Sequence, residues 1–276
     1  MTIDNNPLRQ YFRRPAIYLT LPSKAKYYPP GVINATETGE LPVYPMTAID
    51  EITSKTPDAL FNGVAMYELI KSCVPNIVDP WSINSIDLDA VLVAIKSATG
   101  GNDMEIESMC PKCSDASTFT VSLMAILSQL KSGDYDALLS VNDLKFKFRP
   151  LTYREMNQAG MAQFEIQRMF ANLENITDET ERTNHTQAGL KKVTELTMSI
   201  LSEAIEFIQT PTIRVEEKPF ILDFLKNCDK NVYVTIRDYN GSLKAQNEVK
   251  PLNVTCPNCG HAYEQPFTLN TTDFFG

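Results

Sequence analysis

Histidine is scarce in this sequence: His185 and His261 are the only two in 276 residues. Neither has a nucleophile beside it, so no Ser–His or Cys–His arrangement can be assembled from the sequence. Long apolar runs are also missing. The longest, Ala90 to Ile95, falls far short of the roughly 20 residues that a bilayer requires. The amino-terminal stretch MTIDNNPLRQYFRR lacks the apolar centre of a signal peptide. These two absences predict a chain that stays in a reducing cytoplasm. Phosphate-cradling glycine loops (GxGxxG, GxxxxGK[ST]), the GxSxG elbow and HExxH are absent as well, and no paired-carboxylate site can be defended. The expectation is therefore a protein that is not an enzyme. A basic excess is lacking too: 25 Lys and Arg face 34 Asp and Glu, for a net charge of -9 and a pI near 4.9. A protein that works by neutralising phosphates carries the opposite balance, so nucleic acid is not the expected partner. What is present is a globular composition, 43% hydrophobic and 21% charged. A chain of this length makes one or two domains and buries about 70–75% of its unfolded surface without staples.

Cysteine is the informative residue type. Four of the six form two pairs, Cys110-Pro-Lys-Cys113 and Cys256-Pro-Asn-Cys259, while Cys73 and Cys228 stand alone. Random placement of six cysteines would give only about 0.1 such pairs. In a reducing compartment, two CxxC pairs are the ligand set of one four-thiolate zinc site. Two redox pairs, or metals shared between chains, are the competing readings. A catalytic zinc is excluded on this reading, because four thiolates leave no position open for water. Each pair follows a strand-like run and precedes a polar turn and an alternating strand: CPKC-SDAS-TFTVSL and CPNC-GHAY-EQPFTL. The chain thus holds two copies of one strand–knuckle–strand unit. Gly260 suits a knuckle position that needs positive φ. The predicted module is a split zinc ribbon with one structural zinc on Cys110, Cys113, Cys256 and Cys259. His261 lies in the second turn and is not needed as a ligand, His185 belongs to a polar stretch, and Cys73 and Cys228 suit small core positions. A metal spanning so long a loop removes closure entropy worth on the order of 5 kcal/mol from the unfolded state. Zinc plus four thiolates would also take the net charge to about -11.

The predicted fold class is α+β and predominantly helical, with this four-cysteine β module and a long helical hairpin. Residues 1–46 are expected to be an extended arm, a strand at 16–21 and a proline-rich loop at 22–46. Arg9, Arg13 and Arg14 make residues 1–15 either a frayed end or a docking arm. Residues 47–101 are expected to be helical, with Thr47 capping one helix and Thr56-Pro57-Asp58 starting the next, whose stripe is Leu60, Val64, Tyr67 and Ile70. Ser85 is expected to cap a third, with Asp87 and Asp89 at its positive end and Gly100-Gly101 at its close. Residues 102–123 and 248–276 form the split ribbon. Between them, 124–247 form an inserted helical region with a helix at 124–131, a strand at 144–148 and a helical hairpin over 152–209. The second helix of that hairpin is assigned Val193 through Phe207, with the polar stretch Thr177 to Gln187 as its tip. Residues 229–246 could be helix or strand; the apolar spacing Val232, Ile236, Tyr239 and Leu243 favours helix, ended or kinked at Asn240-Gly241.

Several ordered stretches bear a family resemblance. They are Gly39-Glu-Leu-Pro-Val-Tyr-Pro-Met-Thr-Ala-Ile-Asp-Glu-Ile52, Lys55-Thr-Pro-Asp-Ala-Leu-Phe-Asn-Gly63, Val78-Asp-Pro-Trp81 with Ile86-Asp-Leu-Asp89, and the first CPKC. The ending Tyr263-Glu-Gln-Pro-Phe-Thr-Leu269 with Asp273-Phe-Phe-Gly276 completes the set. Over about residues 15–276 the chain resembles the baseplate proteins of T-even-type contractile-tailed bacteriophages, a family that includes baseplate hub subunits and hub assembly factors. The resemblance implies a virion tail protein assembled in the host cytoplasm, with other baseplate and hub proteins as partners and several copies around the tail axis. It also leaves two roles open: a permanent structural part, or a hub assembly chaperone that departs before the virion is complete. A zinc-ribbon nucleic-acid binder is the third reading, and the acidic flanks of the ribbon speak against it.

Overall fold

The computed structural model describes residues 6–56, 62–175 and 178–267. The chain divides into two compact units. The first comprises Met1–Pro80, Asp87–Leu130 and Val249–Gly276, and the second Trp81–Ile86 and Lys131–Glu248. The predicted helix start at Pro57-Asp58, Leu60 of its stripe, Thr177, and residues 268–276 of the ending lie outside the described residues.

In the first unit β1 (Ile17–Thr20) pairs antiparallel with β2 (Glu40–Val43). Leu19, Leu41 and Val43 turn inward. The helices are α1 (Ala48–Ser54), α2 (Val64–Cys73), α3 (Ser85–Gly100), lying in this unit from Asp87 onward, and α4 (Leu123–Gln129), close to the helix expected at 124–131. Thr47 caps α1 as expected, through a reciprocal capping box with Asp50. Every residue from Ala90 to Ile95 is buried. A helix apolar on all sides is a central helix, and α3 takes that place. The strand expected at 16–21 is present. The proline-rich loop, in contrast, contains β2. Pro42 sits in an isolated two-stranded ribbon, where the missing N–H costs no ladder bond on the solvent side.

Two clips hold this unit, and neither is local in sequence. Arg13 reaches the carbonyls of Pro45 (2.5 Å) and Ser72 (2.9 Å), the Ser72 hydroxyl (2.7 Å) and Asp50 (3.2 Å), and lies over the Tyr44 ring. The arm is therefore fixed at Arg13 rather than frayed throughout. Burial would raise the Asp50 carboxyl, but hydrogen bonds from Thr47, then Ser72 and the Arg13 charge, hold it below its ordinary value. The second clip is Asp87, fully buried. It accepts from the Ser23 amide (2.8 Å), the Ser23 hydroxyl and the Tyr28 hydroxyl (2.8 Å). This pins a turn in which Lys24, Ala25 and Tyr27 all have positive φ. Segment 22–46 is thus ordered against its own unit.

The second unit is built on a four-stranded antiparallel sheet in the order β5 (Leu138–Val141), β6 (Leu144–Phe148), β7 (Ile205–Gln209), β8 (Arg214–Val215). Two helices, α5 (Tyr153–Ala171) and α6 (Glu179–Ala204), form the expected hairpin. Thr152 and Glu155 make a capping box for α5, and Asp178 caps α6. At Gly189 the two helices touch: a Cβ there would lie 2.7 Å from the Phe170 ring. Helices α7 (Lys218–Asn227) and α8 (Lys230–Ala245) complete the unit. Phe146 and Phe148 are buried, in ring contact with Phe224 and Tyr239. At the other end of this unit Trp81 stacks on Tyr153.

Four expectations change here. Ser85 is the first residue of α3 rather than its cap; its amide donates to Leu151 O at 2.8 Å. The second hairpin helix stops at Ala204, and Phe207 belongs to β7. The reason is a terminator the apolar stripe does not reveal: the Lys218 ammonium takes the carbonyls of Ser202, Glu203 and Ile205 (3.1, 3.0 and 2.5 Å), while Phe148 pairs with Ile205. The polar stretch assigned to the hairpin tip is helical from Glu179, because Asp178, Glu179 and Glu181 complement the helix start. Residues 230–245 are one helix that passes through Asn240-Gly241 without ending.

Candidate metal centre

Two antiparallel hairpins build the site, both in the first unit. One is β3 (Asp103–Met109) with β4 (Ala116–Ser122); the other is β9 (Leu252–Thr255) with β10 (Ala262–Gln265). The alternation seen in the sequence is the pleat of these strands. The turns between the strands carry the cysteines, and the two turns share one backbone pattern. The Cys110 amide donates to Asp115 O (2.9 Å) and the Ser114 amide to Cys110 O (2.9 Å). The Cys256 amide donates to His261 O (2.9 Å) and the Gly260 amide to Cys256 O (3.0 Å). Ser114 and Gly260 occupy the same left-handed position, at φ 57° and 67°. Glycine adopts it without strain, as expected for Gly260; serine at the equivalent place does so at some cost.

The fold brings the four predicted ligands together. The sulfurs of Cys110, Cys113, Cys256 and Cys259 all lie within 4.8 Å of one another. The short pairs cross between hairpins: Cys110 to Cys259 and Cys113 to Cys256, each 3.7 Å. That is far beyond a disulfide of about 2.05 Å. It matches a tetrahedron of sulfurs about 2.3 Å from a zinc ion, whose edges are about 3.8 Å. The donor set therefore fits a four-coordinate soft metal. Burial raises the Cys110 thiol, but the amides of Cys113 and Lys112 outweigh this and bring it to about 7. At Cys113 the Asp115 amide lowers the thiol, but the crowd of Cys259, Cys110 and Cys256 sulfurs, together with burial, pushes it up to about 12. One thiolate makes the next harder to form, and a divalent cation relieves that crowding.

A polar clip beside the cysteine cluster fastens the hairpins to each other. The Ser108 hydroxyl donates to Gln265 Oε1 (2.5 Å) and lies 2.9 Å from the Tyr263 hydroxyl. These three residues escape motif reasoning. The available signal is that Ser108 is a lone polar residue on the inward face that otherwise shows Met104 and Ile106. His261 contributes its backbone carbonyl to the knuckle and stacks on Tyr263, and the metal-ligand cluster comprises cysteines alone. His185 is exposed near Glu181. Cys73 is buried against Arg13, its thiol pushed up to about 11 by burial, and Cys228 is half-buried at the end of α7. Neither belongs to the cluster. Asp103, Glu105, Glu107 and Glu264 surround the hairpins.

No curated protein and no solved structure matches the chain. A family model described as T4 bacteriophage base plate protein matches residues 44–276. That span takes in both knuckles and most of the chain, and the protein belongs to the T4 bacteriophage base plate protein family.

Proposed function

We propose that the chain is a permanent structural component of the baseplate hub or inner baseplate, working through protein–protein contacts. One structural zinc on Cys110, Cys113, Cys256 and Cys259 staples the module formed by residues 102–123 and 248–276. The observation that carries the contact role is the arm. Arg13 is held at five points, while the turn before it presents Leu8, Tyr11 and Phe12 at 61%, 77% and 56% exposure beside Arg9 and Arg14. A fixed base with exposed aromatic side chains and arginine is the composition of a protein-binding element. The partners on this reading are other baseplate and tail proteins. No described helix is long and apolar enough to cross a membrane. The role needs no catalysis, as is usual for structural baseplate proteins, and a closed four-sulfur set fits a staple better than a reaction centre.

Quantitative mass spectrometry of purified particles against infected-cell lysate tests permanence. Peptides in fixed ratio to other tail proteins are expected. Abundance in lysate with absence from particles overturns it in favour of a transient hub assembly chaperone. One observation favours that second role: segment 22–46 is already closed by Asp87 and needs no neighbour to order it. Metal analysis of native protein is expected to find one zinc per chain. Firm retention on heparin at moderate salt would revive the nucleic-acid reading, against which the acidic surround of the ribbon stands.

A further inference from the structure

The groove between the two hairpin helices α5 and α6 holds a cavity of about 370 Å3. Its apolar lining is Leu151, Ala159, Leu196 and Ile200, and Val193, 40% exposed, continues the α6 stripe beyond it. Three charged side chains reach it as well: Glu155, Glu203 and Arg154. The two carboxylates already have their counter-ions. Arg149 donates to Glu155 at 3.0 and 2.6 Å and to Glu203 at 3.2 Å, and the Lys218 ammonium stands 3.9 Å from Glu203. Arg154 is placed differently. Its guanidinium lies over the Trp81 ring, 5.4 Å from the centroid. Such stacking uses the face of the ion and leaves the N–H donors at its edge available. Among the described residues no carboxylate pairs with it. The cavity therefore suits an apolar side chain accompanied by a carboxylate.

Helix α5 itself presents that combination, on the same face as Arg154. At about 100° per residue, Arg154, Gln158, Met161 and Glu165 fall within about 60° of one another. Met161 is half-buried, its sulfur accepting from Asn157 at 3.7 Å. Glu165 is exposed, and among the described residues no cation pairs with it. The pairs 154/165 and 158/161 share one midpoint, between Ala159 and Gly160. Two copies of α5 laid antiparallel about that point set each Arg154 opposite the other's Glu165, and each Gln158 opposite the other's Met161. We propose that a second copy of this chain docks on the groove about a two-fold axis, the partner's Met161 entering the cavity and the partner's Glu165 meeting Arg154. One self-complementary patch then satisfies both charges twice, as an isologous contact requires. Methionine is unbranched and adapts to an irregular hollow. The two hairpins together make a four-helix arrangement in which Leu196 and Ile200 lose their remaining contact with water.

Sedimentation equilibrium of the full-length chain tests this, in reducing buffer without chelator and between about 1 and 100 μM, where small interfaces dissociate. The expected result is a reversible equilibrium between the 31.0 kDa chain and twice that mass. Arg154→Glu and Glu165→Arg each create two like-charge pairs across the axis, and each is expected to weaken dimerisation at least about tenfold. The combined Arg154→Glu/Glu165→Arg variant reverses both signs and is expected to return to within about threefold of the parent. Both positions are exposed, so circular dichroism and thermal unfolding of the variants should match the parent. A chain that stays monomeric over the whole range overturns the proposal and leaves the groove to a neighbouring protein. Single variants that dimerise as tightly as the parent, or a combined variant no tighter than either single one, overturn it as well. The measurement involves neither the virion nor the zinc content, so its outcome is separable from that of the baseplate reading.

Discussion

The sheet of the second unit and the paired hairpins of the first are both antiparallel β structure, held by opposite means. In the sheet, Phe146, Phe148, Ile205 and Ile208 are at most 5% exposed. In the four hairpin strands only Ser108 is buried, with Cys110 and Cys256 just beyond the strand ends. One element burying apolar side chains gains about 1.5–3 kcal/mol from each. The other has almost nothing to bury, and isolated two-stranded hairpins are marginal in water. In place of a core, these hairpins gather four sulfurs beside a polar clip. The lesson is that the same backbone geometry can be built with a buried apolar face or with almost none, and the sequence shows which: alternating Phe and Ile in one case, CxxC in the other.

The comparison can be broken most severely at the proposed zinc site. Chelation, or Cys113→Ser with Cys259→Ser, should remove stabilisation on the order of 10 kcal/mol from the hairpins. Amide hydrogen exchange would then show β3, β4, β9 and β10 losing protection while β6 and β7 keep theirs. Equal loss in both units would refute the division of labour. Cys73→Ala and Cys228→Ala should leave the metal content unchanged. The converse change, Phe146→Ala, should cost about 3–5 kcal/mol in the second unit at full zinc occupancy, read by thermal unfolding and metal analysis together.

Gly189→Ala sharpens the comparison within the helical part. The added methyl meets the Phe170 ring, and the overpacking costs about 1–3 kcal/mol, offset by up to about 1 kcal/mol of helix propensity. A net gain in melting temperature would mean that the α5–α6 contact is looser than described. The smallest effect is that of acid. Burial would raise Glu155, but hydrogen bonds and charge from Arg149, with the Thr152 amide and hydroxyl, hold it below its ordinary value of 4.5. A depressed carboxyl gives stability that is fully present above about pH 4.5 and lost as pH falls through its folded value, because the unfolded chain then binds more protons. Glu155→Gln should therefore be less stable than the parent at pH 7, and the gap should narrow toward pH 3.

Much of the cysteine cluster was legible because its signals are local. Each CxxC sits between alternating strands, and Gly260 announces the turn. That both knuckles meet follows from counting ligands rather than from any pattern. The fold was legible where one period ruled, as in α3 and β6. It was misjudged where two signals overlapped. Val193 to Phe207 continues a helical stripe, yet Ile205-Glu-Phe-Ile208 is equally a strand, and the deciding partners, Phe148 and Lys218, lie far away in sequence. Pro42 argued for loop, and the pairing of β2 with β1 overruled it. The Arg13 and Asp87 clips span 32 to 64 residues and leave no trace in composition.

The pairing of Cys110 with Cys259 and of Cys113 with Cys256 has a consequence in time. During synthesis the first knuckle leaves the ribosome more than 140 residues before the second. Throughout that interval two thiols wait without partners, and the first hairpin has no clasp. The second unit can fold meanwhile on its own apolar core. Closure of the sulfur set therefore reports that translation has run past Cys259. A product terminated before Cys256 carries only Cys110 and Cys113, half of the proposed ligand set. On the proposed zinc reading, a filled site would mark a chain synthesised past Cys259.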